Sequence, residues 1–115
     1  MKYQWNIFWA DLNPIKGSEQ AGTRPVLVIS EEAINQARPI VTIISLTSSR
    51  PGRKIYPIEV LIEPEDSHLP QASIVMAHQI RDISKARLGN KCGYIENEEC
   101  RNEIKNIIKL YLDLL

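Results

Sequence analysis

Cysteine is scarce in this 115-residue chain: Cys92 and Cys100 are the only two, and they have no CxxC spacing. A disulfide-stapled scaffold is thereby excluded, and two free thiols in or near a core are expected. Histidine is equally rare. His68 and His78 have no neighbouring ligands at metal spacing, so neither a metal nor another cofactor is expected. An excess charge of one sign is missing too, since 14 Lys and Arg balance 14 Asp and Glu. No overall positive field points to a nucleic-acid coat protein, although a small site with its own arginines remains open. No apolar run is long enough to span a bilayer. The first residues, Met1-Lys2-Tyr3-Gln4-Trp5-Asn6, lack the apolar centre of a signal peptide, so a cytoplasmic protein is expected. Aromatics make up only 6% of the chain, which limits the surfaces on which a base could stack to Trp5, Trp9 and Tyr56, with packing the expected role of Trp9.

What is present reads as a single domain, residues 1–115, large enough for one core and too small for two. Its centre is a long polar connection, Asn13-Pro14-Ile15-Lys16-Gly17-Ser18-Glu19-Gln20-Ala21-Gly22-Thr23-Arg24-Pro25. A plain hairpin closes with about two residues. A connection several times longer that carries Ser, Glu, Gln and Arg exceeds what folding requires, and such loops often carry function.

The connection joins a strand at Ile7–Leu12 to a continuous apolar run at Val26–Ser30. Ser30 to Asn35 starts a short helix with Ser30 as N-cap, stopped by Pro39. Ile40–Thr47 is rich in β-branched residues and reads as a central strand. A basic loop with Arg50, Arg53 and Lys54 follows, then a strand at about Ile58–Ile62 and a polar turn from Glu65 to Pro70. Ser73–Ile83 is a strand pair or one bent strand. Ser84–Leu88 is a single helical turn closed by Gly89, and Gly93-Tyr94-Ile95 is a last short strand. From Asn97 to Leu115 the period becomes helical, with Cys100, Ile104, Ile107, Ile108, Tyr111 and Leu115 on one stripe. Short strands followed by one amphipathic helix predict a mainly β fold, a small antiparallel barrel with helices outside.

Gly17-Ser18-Glu19-Gln20-x-Gly22-x-Arg24-Pro25-Val26-Leu27-Val28-Ile29-Ser30 resembles the signature of the MazF/PemK toxins of bacterial type II toxin–antitoxin systems. Ala10-Asp11-Leu12-x-Pro14 precedes it as in that family, Leu46-Thr47-Ser48 ends the central strand, and Gln79-Ile80-Arg81 with Arg87-Leu88 resembles the later segment. One departure is Trp5-Asn6, where many members carry Gly-Asp. The resemblance implies an SH3-like barrel with a C-terminal helix, working as a homodimer. It implies a ribosome-independent, metal-independent endoribonuclease that cuts single-stranded RNA at short sequences, without cofactors, and is neutralised by a cognate antitoxin. Two alternatives share the fold: a non-enzymatic poison that binds DNA gyrase, whose members lack this loop, and a homologue that binds antitoxin but has lost catalysis.

Metal-free RNA cleavage passes through a phosphorane with extra negative charge, so it needs a fixed cation and hydrogen-bond donors at the phosphate oxygens. A guanidinium matches phosphate geometry. Arg24, set by Pro25 at a strand mouth, and Thr47, whose hydroxyl shares a face with Ser45 and Ser49, are the catalytic candidates. Ser18, Glu19 and Gln20 on the loop are candidate substrate contacts, as are Gln79 and Arg81, which share one face of their strand. His78 points to the other face and is not a candidate.

Overall fold

Alternation along the strands gives the sheet two apolar faces. One collects Ile7, Leu27, Ile44, Leu46, Val60, Ile62 and Val75, and is covered by Ile104 and Ile107 of the last helix. The other collects Phe8, Ala10, Leu12, Val26, Val28, Val41, Ile43 and Ile83. A sheet apolar on both sides must curl or be covered, because each face has to leave water.

The computed structural model describes residues 1–13, 17 and 22–114. In chain order the elements are β1 (Asn6–Asp11), β2 (Thr23–Val28), α1 (Glu32–Ala37), β3 (Ile40–Ser48), β4 (Glu59–Ile62), α2 (Pro64–Ser67), β5 (Ser73–Ser84), a 3₁₀ turn (Lys85–Arg87), β6 (Leu88–Tyr94) and α3 (Glu98–Tyr111). The strands form one sheet in the order β4-β5-β3-β2-β1-β6, and every pairing is antiparallel. The expected mainly β fold with a C-terminal helix is therefore what forms. The barrel is an open one: β4 and β6 are the two edges, and among the described residues they are not paired with each other.

The bend that curls the sheet lies in β5. Ile44 pairs with Ile80, but Leu46 pairs with Val75, so Ser45 alone faces the four residues 76–79. Such a bulge bends the strand. The first part of β5 pairs with both β3 and β4, and the second part with β3 only. The segment from Ser73 is thus one bent strand rather than a strand pair.

Several boundaries differ from the sequence reading. β2 begins at Thr23, so Arg24 lies inside the strand. Glu31, not Ser30, caps α1 by accepting from Ile34 N (3.1 Å), because the Ser30 hydroxyl is engaged by Thr42 N (3.0 Å) and Asn35. The polar turn contains α2, begun by Pro64 at its first position. Gly89 belongs to β6 instead of ending a helical turn. Helix α3 stops at Tyr111 and leaves that ring exposed, so the buried stripe ends at Ile107 and Ile108.

Trp5 sits in the left-handed backbone region, φ 66°, a conformation that suits glycine and costs other residues roughly 1–2 kcal/mol. Its ring is buried, with the Arg101 guanidinium 5.3 Å above it. Its backbone is fixed from both sides: Trp5 N donates to Val28 O and Ile95 N donates to Trp5 O, each at 2.8 Å.

Candidate active site

The two ends of the long connection are closed by side chain and backbone together. Leu12 N donates to Gly22 O (3.1 Å), and Gly22 N donates to the Asn13 Oδ1 (3.2 Å). Asn13 N donates to the Asp11 carboxylate (3.0 Å). Arg87 then reaches across from the 3₁₀ turn and donates to Asn13 O (2.8 Å). The neck delivers the chain into β2 with Thr23 opposite Asp11 and Arg24 opposite Ala10.

β2 and β3 are in a register that pairs Val26 with Ser45. Two residues further in each strand stand Arg24 and Thr47, on the same sheet face as that pair because side chains alternate with period two. Both are half-buried, and both line a cleft of about 290 Å³ together with Ser48, Arg50 and Arg53. A cleft that combines three guanidinium groups with two hydroxyls is built for an anion with several oxygens, such as a phosphate diester. Ser45 shares the face but is sealed in the sheet.

The three cations differ in their freedom to meet a ligand. Arg53 forms a two-pronged pair with Glu59: Nη1 to Oε1 and Nη2 to Oε2, each 2.9 Å. It also donates to the Lys54 carbonyl. The Arg53 hydrogen bonds hold the Glu59 carboxyl below its usual range, against burial, with help from Tyr56 N. Tyr56 lies under Arg53 and Lys54, each 5.7 Å from the ring centre. Arg50, by contrast, is exposed at the rim.

Gln79 and Arg81 stand on β5, Gln79 in the bulge facing Ser45 and Arg81 opposite Ile43. Ile43 is four residues before Thr47 on β3, about 13 Å of strand. The structure therefore gathers Arg24 and Thr47 in one cleft and sets Arg81 further along the same face. Ser18, Glu19 and Gln20 lie outside the described residues. Sequence reasoning had not singled out Ser48, whose position after Thr47 at a strand end was its only signal, nor the clamp that Arg87 makes on the loop neck.

The two thiols are poor nucleophiles. Burial, with Asp66 nearby, pushes Cys100 up to about 11, and burial also raises Cys92.

A cleft lined by three arginines and two hydroxyls, on a curled antiparallel sheet whose other face is covered by a C-terminal helix, defines a small β protein with a site suited to phosphate esters. The chain belongs to the PemK-like, MazF-like toxins of type II toxin–antitoxin systems, whose family model matches residues 3–112. It is 34% identical over 114 residues to the endoribonuclease MazF of Staphylococcus saprophyticus, covering 99% of this chain and 93% of that one. Among solved structures it is similar to MazF of Deinococcus radiodurans, with TM-score 0.80 and 25% identity over 97% of this chain and 96% of that one. A mycobacterial endoribonuclease in complex with its cognate antitoxin shares the fold, with TM-score 0.81 and 24% identity, covering 100% and 98% of the two chains. No helix is long and apolar enough to cross a membrane among the described residues.

Proposed function

We propose that this chain, acting as one domain over residues 1–115, is an endoribonuclease toxin that cuts single-stranded RNA at short sequences in the cytoplasm, without a metal or the ribosome. The observation that carries the reading is the convergence of Arg24 and Thr47 in the cationic cleft. In the reaction the 2′-hydroxyl oxygen attacks the adjacent phosphorus, the bond to the 5′-oxygen breaks, and the products are a 2′,3′-cyclic phosphate and a 5′-hydroxyl. The 2′-proton leaves as the bond forms, and a proton reaches the departing 5′-oxygen. The Arg24 guanidinium neutralises the phosphorane, and the Thr47 hydroxyl donates to a second phosphate oxygen. Ser18, Glu19, Gln20, Gln79 and Arg81 are proposed to contact the flanking nucleotides.

A cognate antitoxin is the partner that the family membership supports. A homodimer is likewise proposed on the family membership, and the exposed Leu110, Tyr111, Leu112 and Leu114 at the end of α3 are apolar surface available to it. The test is incubation of the purified protein with a long RNA in EDTA, beside Arg24→Ala. Discrete fragments with cyclic-phosphate ends from the wild type alone support the reading. Intact RNA in both overturns it.

A further inference from the structure

Glu59 opens β4 and pairs with Met76 of β5, so its backbone is part of the sheet. Its side chain is only 2% exposed, and it is not among the described residues that line the cationic cleft. The basic loop is nevertheless tied to it at both ends. The two prongs of Arg53 end on its carboxylate. Tyr56 N donates to its Oε1 (3.0 Å), and its own N–H donates to Tyr56 O (2.9 Å). A further Arg53 N–H goes to the Lys54 carbonyl, so the guanidinium is held by three acceptors and cannot swing.

From Arg53 the connection runs back to Arg50 through a tight turn. Arg53 N donates to Arg50 O (3.0 Å), with Pro51 and Gly52 between them. Gly52 has φ 81°, and proline followed by a positive-φ glycine is the pattern of a type II turn. A Cβ on Gly52 would meet nothing within 4 Å, so the glycine serves its backbone angle and not a close contact. The exposed Arg50 side chain has no partner of its own among the described residues, and this turn sets where it stands at the cleft. A carboxylate one guanidinium away from a site for anions opposes the ligand by its charge. A buried ion pair is also weak evidence for added stability. Fixing the path of the loop is what accounts for Glu59 at this place.

We propose that Glu59 is a positioning residue for RNA binding: through Arg53 and the Arg50–Arg53 turn it holds Arg50 where the RNA backbone passes the cleft. The proposal rests on the endoribonuclease reading for the identity of the ligand. Two effects of the carboxylate compete, and they have opposite signs. Removing its charge makes the cleft more cationic, which by charge alone tightens the binding of a polyanion. Losing the anchor lets the turn shift, and Arg50 with it, which weakens that binding. Positioning is the larger effect. The Glu59 charge is already neutralised by Arg53 at 2.9 Å, whereas Arg50 acts on a phosphate at contact distance.

The probe is a labelled single-stranded RNA of random sequence with 2′-O-methyl sugars, which lacks the nucleophile and binds without being cut. By anisotropy, Glu59→Gln should bind it several-fold more weakly than the wild type. The slope of log affinity against log salt should fall by about one unit, the signature of one lost phosphate contact. Arg50→Ala should do the same, and the double variant should be no weaker than either single one, because both remove one contact. Gly52→Ala keeps every charge and strains only the turn, so it should weaken binding likewise. Gly52→Asn, which tolerates this backbone region, should stay closer to the wild type. Affinities are compared where urea unfolding shows each variant folded, and Gly52→Ala decides should Glu59→Gln not fold. Unchanged or tighter binding by Glu59→Gln, full additivity with Arg50→Ala, or wild-type affinity in Gly52→Ala overturns the proposal. The same couplings in a protein that leaves long RNA intact in EDTA overturn the nuclease reading and leave the role of Glu59 standing.

Discussion

Arg53 is locked to Glu59 by two parallel 2.9 Å hydrogen bonds, with the carboxylate almost fully buried and the guanidinium open on one side. This pair divides the basic loop by role. The charge of Arg53 is balanced where it stands, and its geometry fixes the path of the loop from Arg50 to β4. Arg50 carries no such partner among the described residues and faces the cleft.

The division predicts opposite signatures for two neighbouring arginines. Arg50→Ala should leave the unfolding midpoint unchanged, weaken RNA binding several-fold, and lower the slope of log affinity against log salt by about one unit, as for the loss of one phosphate contact. Arg53→Ala should lower the unfolding midpoint, since it leaves the buried Glu59 carboxylate without its partner. Urea unfolding and binding at several salt concentrations separate the two.

For the reaction itself, Arg24→Ala removes the cation facing the phosphorane. Cleavage should fall by about two to three orders of magnitude, the cost of one donor aimed at developing charge. Arg24→Lys should recover little, because an ammonium cannot reproduce the planar fork. Thr47→Val keeps the shape and removes the hydroxyl, so kcat should drop while the fold and KM stay close to wild type. Single-turnover cleavage of a defined RNA checks all three.

The parts of this arrangement that repeat with a period were legible in the sequence. The β-branched run of β3, the stripe that buries Ile104 and Ile107, and the alternation that set Thr47 on the face of Ser45 all follow from residue spacing. What depends on how distant segments meet was not. Trp9 was expected to pack and Trp5 was open to stacking, yet the structure buries Trp5 and exposes Trp9. The reason is positional: Trp5 turns inward beneath α3, while Trp9 stands at the sheet mouth, where β2 offers only Pro25. The Arg53–Glu59 pair was equally invisible, because both residues are ordinary surface types until β4 folds back.

Trp5 tests whether backbone strain or burial governs the first turn. Trp5→Gly relieves a left-handed conformation worth roughly 1–2 kcal/mol but removes a buried ring, a loss of about 3–5 kcal/mol. Burial is the larger effect. The variant should be about 2 kcal/mol less stable than wild type by denaturant unfolding, and an equal or higher midpoint would show that strain governs.

Gly93 is required for a different reason. A Cβ there would lie 2.5 Å from the Ser67 carbonyl oxygen and 3.2 Å from the Leu69 side chain. The carbonyl belongs to α2 and has no rotamer with which to escape, so α2 must move off β6. Gly93→Ala should cost about 1–3 kcal/mol or more. The loss is read as a lower midpoint in denaturant unfolding, since α2 and Leu69 must move together off β6.

Acid should loosen the N-terminus at one carboxylate. Burial opposes the charge on Glu32, but hydrogen bonds from Gln4 N, the Gln36 amide and Tyr3 N outweigh it and hold the group at about 2, against 4.5 when unperturbed. The folded value lies below the unfolded one, so the charged form favours the fold. Its contribution is complete above pH 4.5 and is lost as pH falls from there toward about 2. Glu59 is lowered in the same direction by Arg53 and adds to the loss on the acid side. Glu32→Gln should therefore be less stable than wild type at neutral pH by about 1–3 kcal/mol, toward the lower end because the carboxylate is partly open to solvent. The two proteins should converge as pH approaches 2, where wild-type Glu32 takes up its proton. Urea unfolding stepped from neutral pH down to 2 reads the difference directly. A gap that stays constant over that range would mean that Glu32 acts through its shape and not its charge.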